Sequence, residues 1–343
     1  MIPDLAEVDA PDLPDLRSRA HVVALPLRTR FRGVDVREVL LLEGPVGWGE
    51  FAPFTEYGDS EAASWLAAAV ESAWVGWPAP VRRSVPVNAT VPAVGPEAVE
   101  GVLARFDGCR TAKVKVAERG QSLEDDVTRV AEVRRLLGAG ARIRVDANGA
   151  WDFGTAVEAL TALAKYDLEY AEQPCATVGE LAELRVALAR AGVNVLVAAD
   201  ESIRKADDPF AVAAAGAADV AVVKVPPLGG VRRALAVAER LQQEHGLPVV
   251  VSSALDSSVG IAAGLALAAA LPELPFACGL GTAGLLAADV TTEPLLPVDG
   301  WLPVGPIEPD RQLLSRYAAS PDRRDWWLDR LVRCQALLAG SRP

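Results

Sequence analysis

The chain has 343 residues, 51% of them hydrophobic, and a formal charge of −12 from 34 Lys and Arg against 46 Asp and Glu. An acidic balance with no basic block argues against a nucleic-acid surface or an anionic membrane as partner and favours a small molecule. The length exceeds one usual core and predicts a barrel of about 200–250 residues with a smaller second domain.

The opening stretch, MIPDLAEVDAPDLPDL, is acidic and broken by prolines, so it has neither the basic nor the apolar region of a secretory signal. From His21 to Phe51 the runs HVVALPL, VREVLLLE and VGWGEFAPF alternate like antiparallel strands, with a hairpin turn at Gly44-Pro45. Asp59-Ser60 before EAASWLAAAVESAW reads as a capped helix, and strands followed by a helix predict an α+β unit.

From Val85 the pattern changes to eight short apolar runs: VPVNATVPAV, TAKVKVA, RIRVDANG, LEYAEQP, VNVLVAADES, DVAVVKVPPLGG, LPVVVSSALDSS and FACGLGT. Helical segments separate the first seven from their successors, and runs so rich in Val, Ile, Leu and Ala are what a parallel sheet covered on both faces requires. We expect an α/β fold: a (β/α)7β TIM-type barrel over residues 85–299 and an α+β capping domain over 1–84, joined by the C-terminal segment 300–343. That segment holds a Pro-rich return and the tail SPDRRDWWLDRLVRCQALLAG, whose Leu/Trp stripe predicts a closing helix. The most apolar run, Gly260 to Leu271, is too short to span a bilayer and ends at Pro272. Cys109, Cys175, Cys278 and Cys334 form no Cys-x-x-Cys pair, which predicts buried thiols rather than disulfides or a structural zinc site. A cytoplasmic location is the expectation.

Lys115, Asp146, Glu172, Asp200 and Lys224 each end one of these strands, 31, 26, 28 and 24 residues apart. One functional group per βα unit is the signature of a barrel whose active site lies at the C-terminal ends of its strands. Asp146, Glu172 and Asp200 then converge as a hard, all-oxygen donor set suited to Mg²⁺ or Mn²⁺ rather than Zn²⁺. Lys113 and Lys115 share one face of their strand, and Lys224 lies across the barrel, so an ammonium stands on either side of the carboxylates. Taken singly, each group also reads as an ordinary strand-end or helix-capping residue; the joint spacing is what carries the argument. His21 falls in the cap and His245 precedes a strand, at the opposite end from the carboxylates, so neither is placed to serve as an active-site base.

KVK at Lys113 to Lys115, VDAN ending at Asn148, EQP from Glu172, ADES around Asp200, and Lys224, in this order, resemble the enolase superfamily, specifically its muconate-lactonizing-enzyme subgroup. The resemblance implies Asp146, Glu172 and Asp200 as metal ligands and Lys115 with Lys224 as the acid/base pair. It also implies abstraction of a proton α to a carboxylate. Lys113, Asn148 and Glu201 are then expected beside the ligands, and Ser253 and Gly281 are candidate substrate contacts on the last two strand ends. GLGTAG (Gly279 to Gly284) fits G-x-G-x-x-G but lacks the helix and strand of a dinucleotide site, so it reads as a rim loop or a tight turn.

Within the subgroup, the missing carboxylate at the eighth strand is unlike dipeptide epimerases. SSALDSS and GLGTAGLLAADV look most like the actinobacterial type of o-succinylbenzoate synthase, a lyase of menaquinone biosynthesis. N-acylamino acid racemase activity is the enzymatic alternative, and a catalytically silent, carboxylate-binding barrel the non-enzymatic one. The cap loops RTRFRGVD (28–35) and FTEYGDS (54–60) are placed over the barrel mouth as selectors of substrate. The oligomeric state is not legible at this stage.

Overall fold

A computed structural model describes residues 11–204 and 208–340. Residues 1–10, most of the acidic, Pro-broken opening stretch from which a cytoplasmic location is expected, lie outside the described residues.

Three antiparallel strands, β1 (Ala20–Phe31), β2 (Val34–Glu43) and β3 (Trp48–Phe51), form the first sheet in the order β1-β2-β3. The helix Asp59–Val70 packs on it. Its N-cap is Gly58, which has no side chain to bond the first turn, and the Asp59 carboxylate pairs with Arg333 of the last helix, Pro321–Gly340. That terminal helix lies on this sheet and helix; Arg323 and Trp327 both donate to Glu38 of β2.

The second sheet is parallel and runs β11-β10-β9-β8-β7-β6-β5. Its strands are β5 (Ala89–Val91), β6 (Thr111–Lys115), β7 (Arg142–Asp146), β8 (Leu168–Glu172), β9 (Leu196–Ala199), β10 (Val220–Val223) and β11 (Val249–Val251). Parallel bridges from Cys278 to Val87 and from Gly279 to Ser252 place an eighth segment between the two edge strands, so the sheet closes on itself. The expected first barrel strand is split. β4 (Ser84–Pro86) pairs antiparallel with β12 (Trp301–Pro303), and the chain joins the barrel from the Pro86 carbonyl onward, which accepts from the Cys278 amide at 2.7 Å.

The barrel interior follows from strand parity. Tyr170, Ala198, Val220, Val222 and Val250 form an apolar cluster inside it, and the next inward positions along the same strands are Glu172, Asp200, Lys224 and Ser252. Arg144 completes the floor: it is fully buried, its Nε bonds Glu169 at 2.5 Å, and its guanidinium lies 4.7 Å from the Tyr170 ring centre. All four cysteines are buried and unpaired with one another. No helix among the described residues is long and apolar enough to cross a membrane.

Candidate active site

Register sets the charged row. Lys115 pairs with Asp146, and Asp146 with Glu172, across three neighbouring strands. Each therefore projects inward at the same height, at the C-terminal end of its strand. Asp146, Glu172 and Asp200 are each 1% exposed or less. Burying three carboxylates so completely requires partners, and lysines supply them. Lys115 Nζ donates to Asp146 Oδ2 at 2.6 Å and to Asn148 Oδ1 at 2.5 Å. Lys113, one inward position deeper, reaches up to Glu172 Oε1 at 2.7 Å and lies 3.3 Å from Asp146 Oδ2. Lys224 Nζ donates to Asp200 Oδ2 at 2.6 Å from the far side. In a closed eight-strand barrel β6 and β10 are four strands apart, so Lys115 and Lys224 face each other across the cavity they both line.

The titration of these groups follows from the same contacts. Burial pushes the Lys115 ammonium below its ordinary value, Asp146 pulls it back, and the neighbouring Lys113 charge lowers it again, so the net shift is downward. Burial also works against Lys113, but Glu172 and Asp146 outweigh it and its pKa is raised. Asp146 and Asp200 are held below the usual carboxylate range: desolvation opposes this, and the adjacent Lys115 and Lys113, or Lys224 and Arg204, prevail. Glu172 goes the other way, raised by burial and then by repulsion from Asp146.

The backbone after each strand is shaped for this row. Asn148 has φ +48° and Gln173 φ +39°. The Gln173 side chain, fully buried, accepts from the amides of Asp200 and Ser202 at 3.0 and 3.2 Å, fixing the turn that carries Asp200. Asn148 donates to Glu201 Oε1 at 3.3 Å, and Arg204 donates to both Asp200 and Glu201. Gln173 and Arg204 escaped the sequence reading. Arg204 had a legible signal, since it stands four residues after Asp200 at the spacing of an ion pair along a helix.

Among the described residues, no three His, Cys, Asp or Glu side chains stand together in ion-holding geometry as they are arranged here; lysine ammonium groups lie between the carboxylates. The donor set nevertheless fits a hard divalent cation. Asp146, Glu172, Asp200 and Glu201 balance Lys113, Lys115, Lys224 and Arg204 only while every lysine is charged. A lysine acting as base must be neutral, which leaves the anions in excess. Glu201 Oε2 is already buried without a hydrogen-bond partner among the described residues, and Glu172 is already resisting ionisation.

The cavity beside this row, about 30 Å³, is walled by Phe31, Arg32, Thr90, Ser253, Leu255 and Thr282 among others. An outer cleft of about 230 Å³ shares Phe31, Arg32, Lys115 and Asn148 with it and adds Arg30, Glu56 and Arg119. Both expected cap loops thus reach the mouth. Ser253 lies in the inner wall, its hydroxyl bonded to Gly279 O and Thr282 Oγ1 at 2.9 and 2.8 Å. Gly281 stands behind the wall: a Cβ there would meet Asn88 O at 2.8 Å and the Phe106 ring, so its bareness serves packing, while Gly279 and Thr282 face the cavity. GLGTAG forms a 3-10 turn at Thr282–Leu285. His21 sits against Trp48 in the cap and His245 stacks on Phe210, both away from the carboxylates.

The sequence matches the enolase C-terminal domain-like family over residues 97–311 and the enolase N-terminal domain-like family over residues 22–73. It is 59% identical over 313 residues to the o-succinylbenzoate synthase of Thermobifida fusca, covering 91% of this chain and 95% of that protein. Against the o-succinylbenzoate synthase of Mycobacterium marinum it is 58% identical over 328 residues, 95% of this chain and 96% of that protein. Among solved structures, muconate lactonizing enzyme from Pseudomonas fluorescens aligns with a TM-score of 0.74 at 22% identity, over 88% of this chain and 98% of that one, a likeness of fold. The 2-chloromuconate cycloisomerase of Rhodococcus opacus 1CP aligns with a TM-score of 0.74 at 24% identity, with the same coverage. On the strength of near-full-length identity to these relatives, the chain belongs to the enolase superfamily and, within it, to the o-succinylbenzoate synthase family.

Proposed function

We propose that the chain dehydrates 2-succinyl-6-hydroxy-2,4-cyclohexadiene-1-carboxylate to 2-succinylbenzoate, the step of menaquinone synthesis that the family's name implies. The observation that carries this reading is the pair of buried lysines facing each other across one cavity, each bonded to a carboxylate of the strand-end row. We also take the functional division to be a catalytic barrel over 85–299 and a cap over 1–84 completed by 300–343, in a cytoplasmic enzyme.

Asp146, Glu172 and Asp200 would hold the divalent cation, Mg²⁺ or Mn²⁺. When bound, it offsets the negative charge that develops on the substrate carboxylate as the α-proton leaves. The remaining chemistry belongs to side chains. Lys115, with its pKa lowered, takes the α-proton onto Nζ. The C–H electron pair moves into the ring system, the C–O bond on the adjacent carbon breaks, and Lys115 returns its proton to the departing hydroxyl on the same face. Water leaves and the ring becomes aromatic. Lys224, on the opposite face, keeps its charge near the developing anion and attracts the ring as aromatic character grows. Asn148 accepts from Lys115 and so aims it. Ser253 and Thr282, on the wall between, are placed for the succinyl arm.

The test is an absorbance assay on the cyclohexadiene substrate with added Mg²⁺, run beside N-succinyl amino acids. Turnover of the first is expected, with Lys115→Ala and Lys224→Ala each losing on the order of 10²–10⁴-fold in kcat. A wild-type enzyme that leaves the cyclohexadiene untouched and racemises the succinyl amino acids would overturn the substrate assignment. Full turnover by Lys115→Ala would remove it as the base.

A further inference from the structure

Arg204 spends its three kinds of nitrogen on three partners, and only two of them belong to the charged row. Nε donates to Asp200 Oδ1 at 3.1 Å and Nη2 to Glu201 Oε1 at 2.6 Å. Nη1 crosses out of the barrel and donates to the Tyr57 hydroxyl of the cap loop at 3.1 Å. The side chain is 2% exposed. A planar guanidinium fork presents its donors at fixed angles, so a shift at one partner is passed to the others.

On the cap side, the Tyr57 hydroxyl also receives Arg32 Nη2 at 3.4 Å. Arg32 borders both the inner cavity and the outer cleft, and its guanidinium lies 4.3 Å over the Phe54 ring, with Arg37 at 4.5 Å from the same ring. On the barrel side, the oxygen of Asp200 that Arg204 leaves free is the one bonded to Lys224. A continuous polar path therefore runs from the mouth to the acid/base row: Arg32, Tyr57, Arg204, Asp200, Lys224. Contacts other than that of Arg204 also hold the loop. Arg330 of the terminal helix donates to the Phe54 and Tyr57 carbonyls, and Phe54 and Tyr57 both pack edge-on against Trp65.

We propose that Arg204 is a positioning residue that ties the seating of the cap loop Phe54–Tyr57 over the pocket to the placement of the Asp200 carboxylate. The inference rests on the reading of Asp200 and Lys224 given above. A cap that seats only when Asp200 is in place closes the mouth over substrate when the acid/base row is assembled, and the same path lets bound substrate at Arg32 steady Asp200.

A double-mutant cycle tests it, with Tyr57→Phe, Arg204→Gln and the pair, each first checked for a cooperative melt. Tyr57→Phe should raise KM, and the calorimetric Kd for the product 2-succinylbenzoate, about tenfold, the usual worth of a hydrogen bond to a charged group. Arg204→Gln should raise KM by a similar factor and also lower kcat, because Asp200 loses a partner. Tyr57→Phe should cost less in KM in the Arg204→Gln background than in the wild type, since the hydroxyl has already lost its Arg204 donor while Arg32 still reaches it. Arg204→Lys should recover part of kcat, by pairing with Asp200, without recovering KM. Hydrogen exchange supplies a readout that needs no substrate: Tyr57→Phe and Arg204→Gln should each speed exchange of the amides of residues 54–57, and the pair should speed it by less than the two effects combined. Equal costs of Tyr57→Phe in both backgrounds, or unchanged exchange in Arg204→Gln, would overturn the coupling. A wild-type enzyme inactive on the cyclohexadiene would instead overturn the substrate assignment, and the exchange cycle would still decide the coupling. Should Arg204→Gln fail to fold, Arg204→Lys against Tyr57→Phe completes the cycle.

Discussion

Lys113 illustrates how a buried charge acts through its neighbour. Its ammonium neutralises Glu172 and Asp146, and beside burial its charge pushes Lys115 downward. Replacing it with Met removes that repulsion and leaves Asp146 to Lys115 alone, and both changes raise the pKa of Lys115. A base must be neutral, so with Lys115 in the proposed role kcat/KM should rise with pH as it loses its proton. The acid limb of the kcat/KM profile should therefore move to higher pH in Lys113→Met; an unmoved or acid-shifted limb would contradict the assignment. At this scale the sequence was informative because parity is a local property. K-V-K, R-V-D, Y-A-E, A-A-D and V-V-K each put two residues on one strand face with the charged one last. Arg144, Gln173 and Arg204 were not legible in that way, since their roles depend on partners from other units: Glu169 and Asn88, the Asp200 amide, and Tyr57.

Among the elements, the terminal helix Pro321–Gly340 shows what periodicity leaves open. Its Leu/Trp stripe predicts that one face is buried but not against what. Glu38 decides it: β2 offers a carboxylate with a side chain 19% exposed, and Arg323 grips it with Nε and Nη2 while Trp327 Nε1 adds a third bond at 3.0 Å. Burial alone would raise the Glu38 pKa, but the Arg323 and Trp327 bonds outweigh it and the net shift is downward. A carboxylate with a depressed folded-state pKa contributes stability that is present above its ordinary value near 4.5 and is lost as pH falls through the folded value. Glu38→Gln should lower Tm at pH 7 by roughly 1–3 °C, as expected for about 1–2 kcal/mol in a chain of this size, and the gap should close towards pH 3. A gap that persists undiminished in acid would remove the ion pair as its cause. The split of β4 from β5 is the opposite case, where Pro86 was visible but its antiparallel partner, more than 200 residues later, was not.

For the molecule as a whole, the charge balance of the row predicts that a divalent cation and the fold are linked. A ligand that binds only the folded state stabilises it by RT ln(1 + [L]/Kd), about 2.7 kcal/mol at 100 times Kd. Mg²⁺ added to chelator-treated protein should raise Tm by a few degrees and restore turnover. Glu172→Gln, which keeps an acceptor for Lys113 but removes the charge, should lose the Mg²⁺ response of Tm. An equal response in that variant would take Glu172 out of the donor set. The sequence by itself determined the class of fold and the residues of the row, because a βα unit repeats with a nearly fixed length and a strand shows its two faces as alternate letters. Only the tertiary structure decided how the row is neutralised, which cap residues reach it, and that Gly281 packs while Gly279 lines the cavity. Those are relations between side chains far apart in the polymer, and no local periodicity records them.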